Sequence, residues 1–202
     1  MYAYIIGALI AYLLGGISPS YIIAKAKNKD IRSHGSGNLG ASNTVILLGA
    51  KWGVLVGVID ILKAFIPITI AKYCFNDYAL LPYIVACFAI LGHIFPFYLK
   101  FKGGKGTATY FGSMLGLHPL AFVVIGLIFL IVTFATDYII IGTYTVICLF
   151  PIYLFIFAGV IPMGIMLVGS AVVAFKHRGN IVKIIKKEEI GLRSAFSGKH
   201  KL

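Results

Sequence analysis

The sequence predicts an all-α, polytopic integral membrane protein with about seven transmembrane helices. Hydrophobic residues make up 60% of the 202 residues and charged residues only 12%, about half the charged share of a soluble domain. Apolar runs of membrane length recur along the chain, and they are continuous rather than alternating, which favours helices over a β-barrel. We expect one membrane domain, residues 1–202, because no polar segment is long enough to fold alone.

The apolar runs and the loops between them define the individual spans. A basic loop follows the first run, a glycine-rich loop follows the third, and the fourth run has only twelve residues. A short helix over 44–50 is expected to dip into the bilayer. The predicted spans are residues 2–24, 52–73, 77–99, 107–118, 119–135, 138–159 and 160–175.

The distribution of basic residues predicts the orientation in the membrane. Residues 25–51, 100–105 and 176–201 carry sixteen of the eighteen Lys and Arg residues. Seven crossings place these three groups on one side, whereas six would place the last group opposite the other two. Since cytoplasmic loops are enriched in Lys and Arg, we predict seven crossings, with the N-terminus outside and the C-terminus in the cytoplasm.

Three polar segments at the ends of apolar runs suit the binding of a phosphate. Glycine lets backbone N–H groups converge on one anion, and a helix beginning at Thr107 would add the positive end of its dipole. Taken singly, the second segment is also typical of a tight turn between helices, the first of a flexible loop and the third of an ordinary basic flank. The candidate residues are Ser36, Gly37, Asn38 and Asn43 in the first segment, Lys102, Gly103, Gly104, Lys105, Gly106 and Thr107 in the second, and His177, Arg178 and Asn180 in the third.

Two ionisable residues lie inside the second predicted span. Asp60 and Lys63 are three residues apart, so they share one helix face. Charged groups at membrane depth are usually paired, which favours a structural ion pair. The five histidines and six carboxylates show no metal-ligand spacing, and no nucleotide fingerprint appears, so we expect neither metal nor cofactor. The net charge of +12 lies in loops between spans, which favours orientation and anionic ligands over nucleic acid.

In this order and spacing, the three segments resemble the motifs of the bacterial acyl-phosphate:glycerol-3-phosphate acyltransferases of the inner membrane. That family shows Gly-Ser-Gly-Asn-x-Gly-Ala-x-Asn, then Lys-Gly-Gly-Lys-Gly-x-Ala-Thr, then His-Arg-x-Asn-Ile followed by a glutamate. These patterns match residues 35–43, 102–109 and 177–181, and then Glu189. Further matches are Asp60, Lys63, Gly92, His93 and Pro96. Each motif is weak alone, but together they are specific.

The resemblance implies a seven-helix enzyme of phospholipid biosynthesis with its site on the cytoplasmic side. Such an enzyme moves an acyl chain from acyl-phosphate to the 1-hydroxyl of glycerol 3-phosphate, giving lysophosphatidic acid and phosphate. Its partners would be these two substrates and membrane lipid, and we expect a monomer. The resemblance implies catalytic roles for Ser36, His177 and Asn180, substrate binding by the other candidates, and a structural role for Glu189.

Two phosphate cradles are expected, since both substrates carry phosphate. Backbone N–H groups of Gly103, Gly104 and Gly106 would form one together with Lys105. The side chains of Ser36, Asn38 and Asn43 would contribute to the other.

The chain departs from the family pattern at several positions. Ile46 stands where the family has an arginine, and Ile140 lies where a serine is usual, with Thr143 close by. Gly179 replaces a common glutamate, and Lys187 replaces a glycine. Lys51, Lys102 or Arg178 would be candidates to compensate for the missing arginine. The alternatives are a divergent paralogue with an altered acceptor or little activity, and an anion transporter.

Overall fold

A computed structural model describes residues 2–189 together with Gly191 and Arg193. Over these residues the regular structure is helical, as predicted. The predicted cytoplasmic C-terminus and the last basic residues of the tail lie outside the described residues. The chain divides into two compact units, Met1–His118 and Pro119–Leu202, and the expectation of one domain stays a prediction.

Nine α-helices and one 3₁₀ turn make up the described part of the chain. In the first unit they are α1 (Tyr2–Gly16), α2 (Pro19–Ala26), α3 (Ala41–Leu48), α4 (Ala50–Cys74), α5 (Leu81–Ile94), the turn Phe97–Leu99 and α6 (Thr107–Leu117). In the second unit they are α7 (Pro119–Thr136), α8 (Ile139–Phe157) and α9 (Val160–Ile185).

Within the described residues, six helical segments are long and apolar enough to cross a membrane. They are Tyr2–Ala26, Ala50–Cys74, Leu81–Leu99, Pro119–Thr136, Ile139–Phe157 and Val160–Ile185. Large apolar side chains on these segments are exposed, for example Leu9 and Ile131 at 58% and 68%. Such an outer surface suits lipid rather than water. The chain is a membrane protein, and the seventh crossing, assigned to α6, stays a prediction.

Two of the predicted spans contain a break in the helix, and proline explains both breaks. The first span is interrupted at Ile17 and Ser18, where Pro19 begins α2 in the first-turn position that proline favours. The third span has its helix only from Leu81 to Ile94, since Phe95 precedes Pro96 and is therefore biased away from helical geometry. The last helix was predicted to end at residue 175, but α9 continues to Ile185.

Small residues allow the helices of the first unit to approach closely. A Cβ on Gly15 of α1 would overlap the backbone of Ala89 in α5, and a Cβ on Gly92 would overlap the Tyr12 carbonyl. The Tyr12 hydroxyl also donates a hydrogen bond to the Phe95 carbonyl at 2.6 Å. The α1–α5 pair therefore packs backbone against backbone, a common solution in membrane helices.

The second unit is a three-helix arrangement with α8 contacting both neighbours. A Cβ on Gly142 of α8 would overlap the Thr133 hydroxyl of α7. On the other side, the Tyr144 hydroxyl donates to the Ala174 carbonyl of α9 at 2.9 Å. These contacts hold α9, which carries the third polar segment, against α8.

Candidate active site

The second glycine segment folds back along the end of α5. The Gly103 N–H donates to the Ile94 carbonyl and the Gly104 N–H to the His93 carbonyl, both at 3.1 Å. The prediction that these two amides face a phosphate was therefore wrong, because both are used inside the protein. A Cβ on either residue would overlap an atom of His93. Glycine is required here by this close approach to α5.

The segment leads into the short helix α6, which begins at Thr107 as predicted. Gly106 precedes it with a φ of 91°, a left-handed conformation that suits glycine. The first-turn amides of a helix have no acceptor within the helix, so this end of α6 suits an anion. Eleven residues extend only about 16 Å. The loop before α6 folds back along α5 as far as His93. The helix α6 therefore begins beside the last turn of α5 and not beyond the turn Phe97–Leu99.

The first glycine segment is held in shape by Asn43. The Asn43 Oδ1 accepts a hydrogen bond from the Ser36 N–H at 3.0 Å, and its Nδ2 donates to the Ile31 carbonyl at 2.9 Å. Asn43 is only 1% exposed. Both ends of its amide hold the loop, and substrate binding by Asn43 stays a prediction. Ser36 is exposed, and its Oγ accepts from the Asn38 N–H at 3.4 Å.

The first two segments meet within the first unit. A Cβ on Gly104 would lie 2.6 Å from the Leu39 carbonyl oxygen, so the two backbones are in close contact. Arg32 reinforces this junction, since its guanidinium donates to the carbonyls of Leu99 and Lys102 at 3.4 Å. A small apolar cluster lies among these segments and consists of Ala24, Ile31, Leu39 and Leu99. Segments more than sixty residues apart in the chain thus come together, and they form the polar end of the first unit.

A buried polar cluster lies next to that junction. The Lys63 ammonium lies 2.8 Å from Asp60 Oδ1, 2.8 Å from His93 Nδ1 and 2.7 Å from the Ile17 carbonyl. The three side-chain residues are buried, with exposures of 1% to 8%. Asp60 and Lys63 are paired, as their spacing indicated. His93 connects the pair to the second glycine segment, because its ring lies against Gly104.

The third polar segment belongs to the second unit. His177 is buried on α9, and Asn180 lies one helical turn further along the same face. The Asn180 Nδ2 donates to both carboxylate oxygens of Glu189, at 2.8 and 3.0 Å. Glu189 therefore orients Asn180, consistent with the structural role proposed for it.

Arg178 is turned back onto its own helix. Its guanidinium donates to the Phe175 carbonyl at 2.9 Å and lies 3.7 Å from the centre of the Phe175 ring. This arrangement uses Arg178 locally and does not support its predicted role as a substrate ligand.

Two residues near the junction were missed as functional candidates by sequence reasoning. Arg32 had no signal beyond a basic loop, and His93 was given only as a further match to the family, without a role. Of the positions that depart from the family pattern, Ile46 is 53% exposed and has its Cγ2 3.4 Å from where a Gly35 Cβ would lie. Thr143, beside Ile140, donates to the Ile139 carbonyl at 3.0 Å.

A cavity of about 240 Å³ lies at the other end of the first unit, bordered by Lys72, Tyr83 and His118. The Lys72 ammonium donates to the Leu117 carbonyl at 2.8 Å. Neither glycine segment borders this cavity, so it is not the candidate site.

The polar end of the first unit can bind an anionic group. The second segment supplies the N-terminus of α6 and Lys105, and the first supplies the exposed Ser36 hydroxyl and the Asn38 amide. The two segments are in contact where Gly104 approaches the Leu39 carbonyl. Preorganised donors of this kind stabilise a negatively charged oxygen because they need no rearrangement as the charge develops. The buried Asp60–Lys63–His93 cluster supports the backbone from which these donors project.

Comparison with known proteins gives one consistent answer. The family model described as glycerol-3-phosphate acyltransferase matches residues 5–187. Glycerol-3-phosphate acyltransferase 1 of Oceanobacillus iheyensis is 37% identical over 97% of this chain and 98% of its own length. The glycerol-3-phosphate acyltransferase of Bacillus subtilis is 38% identical over 90% of this chain and 93% of its own length.

The fold agrees with solved structures. The crystal structure of PlsY (YgiH), an integral membrane glycerol 3-phosphate acyltransferase, in its glycerol 3-phosphate form superposes with a TM-score of 0.90 at 31% identity, covering 98% of this chain and 99% of that one. Its lysophosphatidic acid form gives a TM-score of 0.86, also at 31% identity, covering 96% and 98%. The chain therefore belongs to the glycerol-3-phosphate acyltransferase family.

Proposed function

We propose that this protein transfers an acyl chain from acyl-phosphate to the 1-hydroxyl of glycerol 3-phosphate. The observation that carries the proposal is the junction of the first two glycine segments beside Lys105, in a chain that belongs to this family. The related PlsY has been solved in glycerol 3-phosphate and lysophosphatidic acid forms, which are the acceptor and the product of such a reaction.

The chemistry needs binding and orientation more than a strong base. The acceptor hydroxyl oxygen attacks the acyl carbonyl carbon, a new ester C–O bond forms, and the C–O bond to phosphate breaks. The hydroxyl proton leaves with the released phosphate. Lys105 and the N-terminus of α6 are positioned to bind phosphate, while Ser36 supplies a hydroxyl beside them. His177 and Asn180 are proposed to orient the reacting groups, with Asn180 held by Glu189.

The site is proposed to face the cytoplasm from the inner membrane of a bacterial cell. Support comes from the basic residues Lys25, Lys27, Lys29 and Arg32 near the first segment and Lys100, Lys102 and Lys105 around the second. We further propose that α6 is the seventh crossing, that the protein acts as a monomer, and that the acyl chain reaches the site from the lipid.

The function is tested with purified protein, an acyl-phosphate and glycerol 3-phosphate. We expect lysophosphatidic acid and inorganic phosphate in equal amounts. Ser36→Ala and His177→Ala are each expected to lower kcat/KM about 100-fold, because each removes a polar group aligned with the reacting atoms. Lys183→Ala on the exposed surface of α9 is the control and should leave kcat/KM within twofold.

Absence of product with folded, lipid-reconstituted protein would refute the acyltransferase proposal. Phosphate movement across proteoliposomes without acyl transfer would instead favour an anion transporter. Full activity in both Ser36→Ala and His177→Ala would leave the proposed reaction standing, but it would show that neither residue takes part in catalysis.

The isoleucine at position 46 offers a second test of the same site. Ile46→Arg would place a guanidinium beside the first glycine segment, where it can form two charge-assisted hydrogen bonds to a phosphate. We expect the KM for glycerol 3-phosphate to fall about tenfold with kcat little changed, since one added hydrogen bond to a charged group contributes roughly 1.5–3 kcal/mol.

The matched control is Ile46→Lys, which adds the charge without the planar fork. A gain limited to arginine supports an impaired phosphate site in the native chain. Equal KM values for all three proteins would show that the native site already binds the acceptor fully without this residue.

A further inference from the structure

The Lys63 ammonium lies close to three polar atoms. It forms an ion pair with Asp60 Oδ1 at 2.8 Å, donates a hydrogen bond to the Ile17 carbonyl at 2.7 Å and lies 2.8 Å from His93 Nδ1. All of these residues lie inside membrane-spanning segments. A buried ammonium keeps its charge only when its donors are satisfied in this way.

This geometry favours one tautomer of the His93 ring. A ring nitrogen that faces an ammonium at 2.8 Å must accept the hydrogen bond, because an N–H there would point at another N–H. The alternative partner of His93 Nδ1 is Asp60 Oδ1, but it is further away at 3.4 Å. With Lys63 charged, Nδ1 would accept this hydrogen bond, and the proton of a neutral ring would lie on Nε2.

The Nε2 edge of the ring lies where the two glycine segments meet. A Cβ on Gly104 would overlap both this nitrogen and the Leu39 carbonyl oxygen. The His93 carbonyl also accepts from the Gly104 N–H at 3.1 Å. His93 therefore contacts Gly104 through its backbone and its side chain, immediately before Lys105.

We propose that the Asp60–Lys63 ion pair locks His93 in its Nε2–H tautomer and so makes His93 the positioning residue of the substrate-binding loop. The ion pair sets which nitrogen is protonated, and the ring holds Gly104 and hence Lys105 at the phosphate of glycerol 3-phosphate. The link to this substrate rests on the proposed function, whereas the tautomer of His93 does not.

The tautomer is tested by NMR on the full chain with ¹⁵N-labelled histidine in lipid nanodiscs. The His93 signals are assigned by their loss in His93→Asn. We expect an unprotonated Nδ1 and a protonated Nε2 in the native protein. In Lys63→Met the donor to Nδ1 is gone, so the ring is expected to switch to Nδ1–H and donate to Asp60. The exposed His34 serves as the internal control and should not change.

A native His93 that is doubly protonated, or protonated on Nδ1 alone, would overturn the proposal. An unchanged Nε2–H signal in Lys63→Met would also overturn it, because Lys63 would then not set the tautomer. Both results are independent of acyl transfer, so they separate a failure of this inference from a failure of the proposed function.

Kinetics test the positioning role. His93→Asn keeps an amide oxygen near the Nδ1 position to accept from Lys63 but removes the Nε2 edge from Gly104. We expect the KM for glycerol 3-phosphate to rise about tenfold, the equivalent of roughly 1.4 kcal/mol, with kcat changed less than about threefold. A fall in kcat at constant KM, or no change in either, would contradict loop positioning by His93.

Discussion

Asp60→Ala is expected to lower the free energy of unfolding by about 3–5 kcal/mol, because it leaves the buried Lys63 ammonium without its counter-charge. Both side chains of the pair are almost fully buried, at 5% and 2% exposure. Neither can recover its hydration by moving to solvent without disturbing α4. Thermal unfolding in detergent, followed by the fluorescence of Trp52, should show a fall in melting temperature of about 10 °C.

Two further variants show whether the loss of stability comes from the unpaired charge. The double variant Asp60→Leu with Lys63→Met should recover most of the loss, since an apolar pair of similar volume often replaces a buried ion pair without cost. Lys51→Met on the exposed start of α4 is the control and should change the unfolding free energy by less than about 0.5 kcal/mol. If Asp60→Ala unfolded at the native temperature, the pair would not contribute to the stability of the first unit.

Gly104→Ala is expected to lower kcat/KM about 100-fold, because the added methyl group forces apart the two segments that form the site. The Cβ would overlap His93 Nε2 and lie 2.6 Å from the Leu39 carbonyl. Overpacking of this kind typically costs about 1–3 kcal/mol of stability, so the protein should still fold. Steady-state kinetics and the melting temperature of the same preparation separate the two effects.

The matched control is Gly164→Ala, at a glycine of α9 where a Cβ would meet nothing within 4 Å. It should leave the activity unchanged and slightly favour the helix, since alanine has the higher helix propensity. An activity of Gly104→Ala within threefold of the native value would mean that the junction of the two segments does not control the reaction.

Much of the fold could be predicted from the sequence, because its signals are local. Continuous apolar runs of membrane length predicted the helices. The start of α6 at Thr107 followed from glycine before a helical run. The pairing of Asp60 with Lys63 followed from their spacing on one helical turn. The three polar segments could be located in the sequence because each one lies where an apolar run ends.

The errors arose where a long-range contact uses a group that looks available in the sequence. The amides of Gly103 and Gly104 resembled anion ligands, but the end of α5 accepts their hydrogen bonds. Nothing in the sequence indicated that Asn43 holds its own loop, through Ser36 and Ile31. The pattern of apolar and polar residues does not show which backbone groups will form hydrogen bonds with a segment that is distant in the sequence.

By itself, the sequence determined that this protein is a bundle of membrane helices with polar turns suited to phosphate. It did so because hydrophobicity and glycine content act on each segment separately. Only the tertiary structure decided that His93 of α5 joins the Asp60–Lys63 pair of α4 to Gly104. That role depends on three side chains and one loop, up to 44 residues apart, which come within contact distance only when α4 and α5 pack together.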